Sequence, residues 1–434
     1  GLFLVAAGDT VSQVLGARET RVDRAIDTEN FAAALETAES QSRFVIVDDD
    51  EAMLAIMNAP LAQWRVFLHP TQKKLADGDR SGSMRVLGGA GTGKTVLAMH
   101  RAKWLAENRT PEGQKVLFTT FTKNLASDIE QNLRTLCNKS TLEKIEVRNF
   151  DAWVHGFMRS HKLEHRIVYD RKQDGALQAW ESAMAVRDTA LDLSKDFYEK
   201  ELEQVILAQG ITTRDEYRVA RRTGREGILG RAKRDAVWPV FEEYRGQLSS
   251  RKLKEVDDAY REVASMLSSG EARRPAYSAI LIDETQDFGE QALKLLRAMI
   301  EPGANDLFFV GDGHQRIYSR NKAAMSKCGI DIRGRARKLY LNYRTTDEIR
   351  KQAVALLEGC EVDDLDGGQD ETQRYKSLSH GPVPSVYPVE GLEAAAAQAI
   401  TFLKNGQQAQ GEQDAWSVCV IAPSGKIRET LAQQ

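Results

Sequence analysis

The sequence predicts an α/β protein in which a parallel sheet carries helices on both faces, with an all-helical insert and the start of a second α/β unit. Three observations predict this class. Short apolar runs recur along the chain and end in glycine or polar residues, as buried parallel strands do. A glycine-rich loop directly follows one of these runs. Residues 155–265 instead show helical periodicity, many charges and no run of β-branched residues.

Length and composition indicate an ordinary multidomain protein. The chain has 434 residues, of which 42% are hydrophobic and 28% charged, so roughly three domains are expected. The net charge of −3 means that any surface for nucleic acid must be local. Four cysteines without ligand spacing predict reduced thiols, and no apolar run nears the length of a membrane span. We therefore expect a cytoplasmic protein without a membrane anchor.

The first segment, residues 1–61, predicts two helices and a strand but no chemical site. Its strand ends in Asp48-Asp49-Asp50, for which a solvated turn is favoured over a cation site. Gln72 follows, in a helix start some twenty residues before the glycine loop. Its carboxamide can donate and accept, which suits the edge of adenine, although a simple helix start is the favoured explanation of a glutamine here.

The glycine loop is the strongest single signal. It follows the apolar run Met84, Val86, Leu87 and fits the pattern G-x-x-x-x-G-K-[ST], with the residues Gly88, Gly89, Ala90, Gly91, Thr92, Gly93, Lys94 and Thr95. Glycines let backbone N–H groups approach a polyphosphate closely. Lys94 adds a charge for the β- and γ-phosphates, and Thr95 offers a hydroxyl to Mg²⁺. The loop predicts nucleotide binding.

The next strand, Lys115 to Thr122, ends in Phe121 and Thr122, at the sheet edge where ligands bind. A ligand role and a solvated turn are about equally supported there. Within the helical insert, residues 214–234 are rich in Lys and Arg and contain Tyr217, with Trp238 just after. Such a stretch can follow a phosphate backbone, but a charged helix face is the commoner explanation.

Two carboxylates end the apolar strand that begins at Ala279. Asp283 fits a second contact to Mg²⁺ and Glu284 a base that activates water, although acids also favour a helix start. The following strand, Leu307 to Val310, leads to His314 and to Gln315, a candidate sensor of the γ-phosphate. We interpret His314 as a turn residue, because no partner has metal-ligand spacing.

A further strand leads to Asn342-Tyr343-Arg344, and Arg344 is a candidate for stabilising transition-state charge. Thr345 and Glu348 predict a capping box that opens a helix. Residues 361–368 are acidic but fail the EF-hand register, so an acidic loop is predicted. The close of the chain predicts a helix, Ala394 to Leu403, and a strand, Trp416 to Ala422.

Taken in order, these stretches resemble UvrD/Rep-type superfamily 1 helicases over roughly residues 62–434. The resemblance implies a RecA-like P-loop lobe at 62–154 and 266–345, a helical insert at 155–265 and the start of a second RecA-like lobe at 346–434. It implies that Gln72 and Tyr343 hold adenine, that Thr95 and Asp283 bind Mg²⁺, and that Glu284 activates water. Lys94, Gln315 and Arg344 would meet the phosphates, and Phe121, Thr122 and Tyr318 would lie along DNA.

The resemblance also implies a function, and the sequence departs from the family's pattern in some places. An ATP- and Mg²⁺-dependent enzyme acting on single-stranded or partly duplex DNA is expected, moving 3′ to 5′, although this polypeptide alone is expected to hydrolyse ATP weakly and not to unwind. Ser319-Arg320-Asn321 replaces the family's Trp-Arg-Gly, which puts one base-stacking platform in doubt, and the later motifs are absent. The start is similar to a bacterial branch that often carries a RelE-like toxin domain, which these residues lack. The alternative is an ATP-gated DNA-binding or toxin-linked regulatory module; no guanine-reading Asn-Lys-x-Asp motif supports a GTPase.

Overall fold

The structure is a computed structural model of the 434-residue chain. It describes residues 66–68, 70–173, 175–222, 225, 229–315, 323–342, 344–357, 375–377, 379–410 and 419–433. The elements predicted within residues 1–61 and the acidic loop at 361–368 lie outside these ranges. Residues 416–418 of the last predicted strand also lie outside them, and the prediction is wrong for residues 419–422, which are largely exposed and form no strand. No helix in the described ranges is long and apolar enough to cross a lipid bilayer.

The first part of the described chain alternates helices with strands. In chain order the elements are α1 (Pro70–Ala76), β1 (Met84–Gly88), α2 (Lys94–Asn108), β2 (Lys115–Thr120), α3 (Lys123–Leu136), α4 (Lys139–Glu143), β3 (Ile145–Asn149) and α5 (Phe150–Ser160). Thr122 caps α3 and Asn149 caps α5 through side-chain oxygens that accept backbone N–H groups. Both caps stand directly after strands, so each strand passes into its helix within a few residues.

The middle of the chain is mostly helical. Its elements are β4 (Arg166–Val168), α6 (Ala176–Ala185), a 3₁₀ turn (Thr189–Leu191), α7 (Lys195–Glu201), a π-helical turn (Leu202–Leu207), α8 (Arg214–Val219), α9 (Arg231–Ser250), β5 (Leu253–Glu255) and α10 (Val256–Ser269). β4 and β5 form a parallel pair that the sequence analysis did not predict. Each strand is only three residues long, which is too short to show a period.

The last part returns to alternating strands and helices. Its elements are β6 (Tyr277–Ile282), a 3₁₀ turn (Thr285–Asp287), α11 (Glu290–Met299), β7 (Leu307–Gly311), 3₁₀ turns (Gly313–Gln315 and Met325–Cys328), β8 (Ala336–Leu339), β9 (Leu341–Asn342), α12 (Asp347–Ala355), β10 (Lys376–Ser377), α13 (Gly391–Gln410) and α14 (Gly425–Gln433). β9 and β10 form a separate parallel pair. The predicted capping box at α12 is wrong, because Thr346 is the cap, Thr345 contacts Asn342, and Glu348 faces His380 and Gly381.

Six parallel strands form the central sheet in the order β3-β2-β6-β7-β1-β8. Alternate side chains of one strand enter different cores: Phe118 packs with α2 and α3, whereas Leu117 packs with α5, α10 and α11. Helices therefore cover both faces, which confirms the predicted α/β class. Because β6 and β7 lie between β2 and β1, the ends of strands far apart in sequence meet at one edge.

A third core belongs to the helical insert and draws on residues from Val168 to Leu253. Tyr217 and Trp238 are buried inside it. Arg218 pairs with Asp215 and Asp235, while Arg222 and Arg225 pair with Glu201. The stretch at 214–234 is thus a structural part of the insert, with its rings turned away from solvent. α5 and α10 pack on the sheet instead, and we propose 168–253 as the extent of the insert.

Candidate functional site

The glycine loop joins β1 to α2 and needs glycine at particular positions. Gly91 and Gly93 adopt φ values of 76° and 80°, in the left-handed region that residues with side chains avoid. A Cβ on Gly88 would lie 2.5 Å from Thr92 Oγ1, and a Cβ on Gly91 would overlap Asn342 Oδ1. The loop is therefore packed closely from both sides, and its backbone N–H groups stand at the start of α2, where the helix dipole favours an anion.

Lys94 is folded onto this loop. Its Nζ donates a hydrogen bond to the Gly89 carbonyl oxygen at 2.9 Å and lies 3.7 Å from Asp312 Oδ2. Burial raises the pKa of Asp312, but the hydrogen bond from His314 and the charge of Lys94 outweigh burial and hold that pKa below its ordinary value. The ammonium group thus lies beside a carboxylate at the mouth of the loop, where a phosphate oxygen can replace the carbonyl as its acceptor.

Asp283 ends β6 and is fully buried. Its Oδ1 accepts the Glu284 N–H at 2.9 Å, whereas its Oδ2 accepts no hydrogen bond of normal geometry from the described residues. Burial and then the charge of Glu284 raise its pKa to about 6, and the Thr95 hydroxyl offsets only part of this rise. A buried carboxylate oxygen without a hydrogen-bond donor, next to a threonine hydroxyl, suits a hard cation such as Mg²⁺.

Glu284 is connected to the tip of the neighbouring strand by Gln286. Gln286 Nε2 donates to Glu284 Oε2 at 2.6 Å, and Gln286 Oε1 accepts the Asp312 N–H at 2.9 Å. Asp312 Oδ2 in turn accepts from Gln315 Nε2 at 2.9 Å. One chain of hydrogen bonds therefore runs from Glu284 to Gln315 and, through Asp312, reaches Lys94. Four of the predicted site residues are brought together in this way, namely Lys94, Asp283, Glu284 and Gln315.

Gln72 lies on α1 and reaches the loop from the other side. Its Nε2 donates to the Thr92 carbonyl oxygen at 2.8 Å, and its Oε1 is buried and accepts no hydrogen bond from the described residues. The side chain is thereby fixed against the phosphate loop with one acceptor to spare. This is the arrangement that a purine amino group would complete.

The structure describes Arg344, whereas two of the aromatic candidates lie outside the described residues. The Arg344 N–H donates to Asn342 Oδ1 at 3.0 Å, and this same oxygen lies against Gly91. The backbone of Arg344 is therefore anchored beside the loop, with an exposed side chain. Tyr343 and Tyr318, and the departure at 319–321, lie outside the described residues. Tyr375 is buried, and its ring edge would be 3.2 Å from a Cβ on Gly89.

Phe121 and Thr122 follow β2 at the same edge of the sheet. Phe121 is half-buried and packs edge-to-face with Phe288 at 6.1 Å, while the Thr122 hydroxyl caps α3. Asn149 Nδ2 donates to the Phe121 carbonyl oxygen at 2.6 Å and fixes this turn. A cavity of about 470 Å³ opens beside Phe121, between the sheet and the insert. An aromatic ring at the mouth of a cavity can stack on a base.

The donor set fits a nucleoside triphosphate with Mg²⁺. The loop offers N–H groups and an ammonium to phosphate, and Thr95 with Asp283 offers two oxygen ligands. Mg²⁺ commonly uses one or two protein oxygens together with phosphate oxygens and water. The buried Asp283 Oδ2 is the specific observation that supports the fit.

Sequence reasoning missed three residues of this site: Asp312, Gln286 and Asn342. A hydrogen bond joins Gln286 to Asp312 between segments distant in sequence, and Asn342 packs against Gly91, so no local pattern marks their roles. Asp312 and Gln286 do stand within two residues of predicted strand ends. Their positions near these strand ends could have identified them as site residues.

Comparison with known proteins gives the family. The family model described as the UvrD/REP helicase N-terminal domain matches residues 68–328. A probable DNA helicase of Mycoplasma pneumoniae is 25% identical over 238 residues, which cover 54% of this chain and 44% of that protein. The ATP-dependent DNA helicase UvrD1 of Mycobacterium tuberculosis is 24% identical over 317 residues (67% and 39%). DNA helicase IV of Escherichia coli is 24% identical over 292 residues (60% and 42%).

The aligned residues thus span about two fifths of the length of these relatives. The family match covers more than half of the chain and includes the glycine loop, both strand-end acids and five of the six strands of the central sheet. The chain belongs to the UvrD/REP helicase family.

Proposed function

We propose that this protein is an ATP-dependent DNA motor of the UvrD/Rep type, which hydrolyses Mg²⁺-bound ATP and moves 3′ to 5′ on single-stranded DNA. The observation that carries the proposal is the hydrogen-bond chain from Glu284 through Gln286 and Asp312 to Gln315, together with the ion pair between Asp312 and Lys94 at the mouth of the glycine loop. Family membership supports the assignment of DNA as the partner.

Each residue has a role that follows from its chemistry. The loop N–H groups and Lys94 bind the phosphates, and Gln72 orients the adenine through its spare acceptor. Thr95 and Asp283 hold the metal, which when bound supplies positive charge to the phosphate oxygens. Glu284 accepts a proton from the attacking water, Gln315 contacts the γ-phosphate, and Arg344 stabilises negative charge as it develops. Tyr343 would stack on the adenine.

DNA binding is assigned to the carboxyl edge of the sheet. Phe121 and Thr122 stand there, and the segment that contains Tyr318 follows Gln315 within three residues. A strand held by these residues would lie next to the hydrogen-bond chain that ends at Glu284. We infer that DNA binding increases the rate of hydrolysis by ordering this chain.

The test is an ATPase assay of the full chain with and without a single-stranded oligonucleotide. We expect the oligonucleotide to raise kcat and Lys94→Ala to lower the stimulated rate by about 100-fold or more, because a positioned charge next to the phosphates is lost. Arg134→Gln, on the exposed face of α3, is the control and should behave as the wild type. Stimulation that survives Lys94→Ala would refute the assignment of the site.

Direction is tested with single strands that carry a fluorophore at either end. Arrival at the 5′ end should give a signal whose delay grows with strand length, and the 3′ label should give none. The opposite pattern would refute the proposed polarity while leaving the ATPase assignment intact.

A further inference from the structure

A second groove lies away from the glycine loop and is lined by cations. It has a volume of about 450 Å³ and is formed by α10, α11 and the segments after them. Its lining contains Arg261, Arg274, Lys294 and Arg297, together with the hydroxyls of Ser265 and Ser268, and the described lining residues include no acid and no aromatic ring. The whole chain has a net charge of −3, so this concentration of positive charge is a local feature of the groove.

The groove runs from the middle of α10 and α11, where Arg261 and Lys294 stand, toward the amino edge of the sheet. α10 ends shortly before β6 begins, and α11 runs back from the carboxyl edge after β6 ends. The C-terminal halves of both helices therefore stand at the edge opposite the glycine loop. The groove is thus separate from the proposed ATP and single-strand sites.

The cations keep positive charge despite their acidic neighbours. Asp258 lies 3.7 Å from Arg261, but both of its oxygens already accept hydrogen bonds from Arg245 at 2.9 Å. Asp258 therefore neutralises the positive charge of Arg261 only in part. Lys294 pairs with Glu290 at 2.7 Å and Arg274 with Glu301, and such partly exposed pairs contribute little and exchange easily.

Arg297 differs from the other three. It is partly buried, donates to Asp306 Oδ2 and to the Ile300 carbonyl oxygen at 2.7 Å, and stabilises the end of α11. A cation there also complements the helix dipole. That explanation does not extend to Arg261 or Lys294, which stand before the last turn of their helices. The Nε atoms of Arg261 and Arg297 are buried and donate no hydrogen bond to the described residues.

We propose that this groove binds the phosphodiester backbone of duplex DNA. Guanidinium, ammonium and hydroxyl groups are the donors that phosphates recruit, and their spread along two adjacent helices suits a charged strand. The lack of aromatic rings among the described lining residues favours duplex, because single-strand sites stack bases on such rings. The inference rests on the proposed function, because the groove would bind the duplex next to the single strand along which the motor moves.

The test is a salt titration of binding between the full chain and a fluorescein-labelled duplex, without nucleotide. Arg261→Gln with Lys294→Gln should weaken binding by about tenfold and reduce the slope of log K against log salt by about 1.8, the value for two phosphate contacts. Glutamine preserves the helices. The matched control, Arg134→Gln with Lys139→Gln, removes two exposed charges on the opposite face of the sheet and should stay close to the wild type.

The possible outcomes distinguish a separate DNA site in the groove from an effect on the proposed ATPase site. The groove variant should keep ATPase stimulation by single strands, so loss of that stimulation would overturn the proposal of a separate site. Equal weakening by both double variants, or none in either, would also overturn it. Displacement of the duplex by millimolar pyrophosphate at constant ionic strength would show a site for small phosphates rather than for DNA. The duplex measurement needs no hydrolysis, so it stands even where the ATPase proposal fails.

Discussion

Glu284 adopts a backbone conformation that side chains rarely accept, with φ 54° and ψ 46°. This conformation costs about 1 to 2 kcal/mol, and it occurs next to the fully buried Asp283. Gln286 holds the strained residue by donating a hydrogen bond to its carboxylate, and it is itself fixed by accepting the N–H of Asp312, the residue after β7. We infer that Gln286 positions the proposed base.

Replacing Gln286 by leucine should separate kcat from KM. The variant loses the hydrogen bond at 2.6 Å that orients Glu284, so kcat should fall by about 100-fold, the scale of a misplaced catalytic group. KM for ATP should stay near the wild-type value, because Lys94 and the loop are unchanged. Steady-state kinetics with a saturating oligonucleotide gives both constants.

Gln291→Leu is the control for that variant. Gln291 is also buried, but its Nε2 donates to the Ala208 carbonyl oxygen, at the boundary with the insert. Its loss should lower stability without changing kcat. Similar kinetics for the two variants would mean that Gln286 has only a structural role.

Gly91→Ala tests the packing of the glycine loop against a matched glycine. Gly91 and Gly113 have φ values of 76° and 79°, but a Cβ at Gly91 would overlap Asn342, whereas nothing lies within 4 Å of one at Gly113. Both alanines should cost about 1 to 2 kcal/mol of stability. Only Gly91→Ala should weaken the binding of Mg²⁺–ATP, by at least about tenfold, because the loop must move.

Calorimetric titration of both variants decides this point. Unchanged affinity in Gly91→Ala would show that the loop tolerates displacement from Asn342. Weak binding in Gly113→Ala would show that lost stability, rather than the loop, sets the affinity.

At the residue scale, the sequence was sufficient to propose a site residue where the type of side chain itself determines the chemistry. Lys94, Thr95, Asp283 and Glu284 were proposed from their spacing and strand-end positions, and their roles stay predictions. Gln286 and Asn342 could not be proposed, because the fold alone brings Gln286 to Asp312 and Asn342 to Gly91.

At the scale of elements, apolar runs predicted β1, β2, β6 and β7 to within two residues. β4 and β5 were missed because three residues show no period, and pairing stabilises them instead. The cap of α12 was misassigned by one residue because Thr345 and Thr346 look alike in sequence and only their contacts differ.

The insert contains a buried charge cluster that predicts a large effect on stability. Glu201 is fully buried and accepts from Arg222 at 2.8 Å, Arg225 at 3.2 Å and Tyr217 at 2.9 Å. Glu201→Gln keeps the shape but leaves two guanidinium groups without their counter-charge. We expect a loss of about 3 to 5 kcal/mol, measured by urea unfolding followed through tryptophan fluorescence.

Lys200→Gln is the neighbouring control. Lys200 pairs with Asp196 at 2.8 Å, but both side chains are about half exposed or more, so its loss should cost at most about 1 kcal/mol. A cost for Glu201→Gln as small as this would show that the cluster contributes no net stability.

At the scale of the molecule, strand order explains why the site forms. The loop after β1, the turn after β6 and the turn after β7 meet at one edge because the sheet has the order β3-β2-β6-β7-β1-β8. Residues near positions 94, 283 and 312 thereby come into contact. The periodicity of the sequence predicts a parallel sheet but not this order, because buried strands of similar composition can exchange places. The resemblance to a known family predicted that these residues share one site, and the structure gives the strand order.

The central claim is that one site both holds ATP and hydrolyses it, with Glu284 as the base. Single-turnover hydrolysis of bound Mg²⁺–ATP by Glu284→Gln, with a saturating oligonucleotide, tests it most directly. We predict wild-type affinity for ATP and a hydrolysis rate lower by about 100-fold or more, since a positioned base is lost. Hydrolysis at the wild-type rate in this variant would contradict the account.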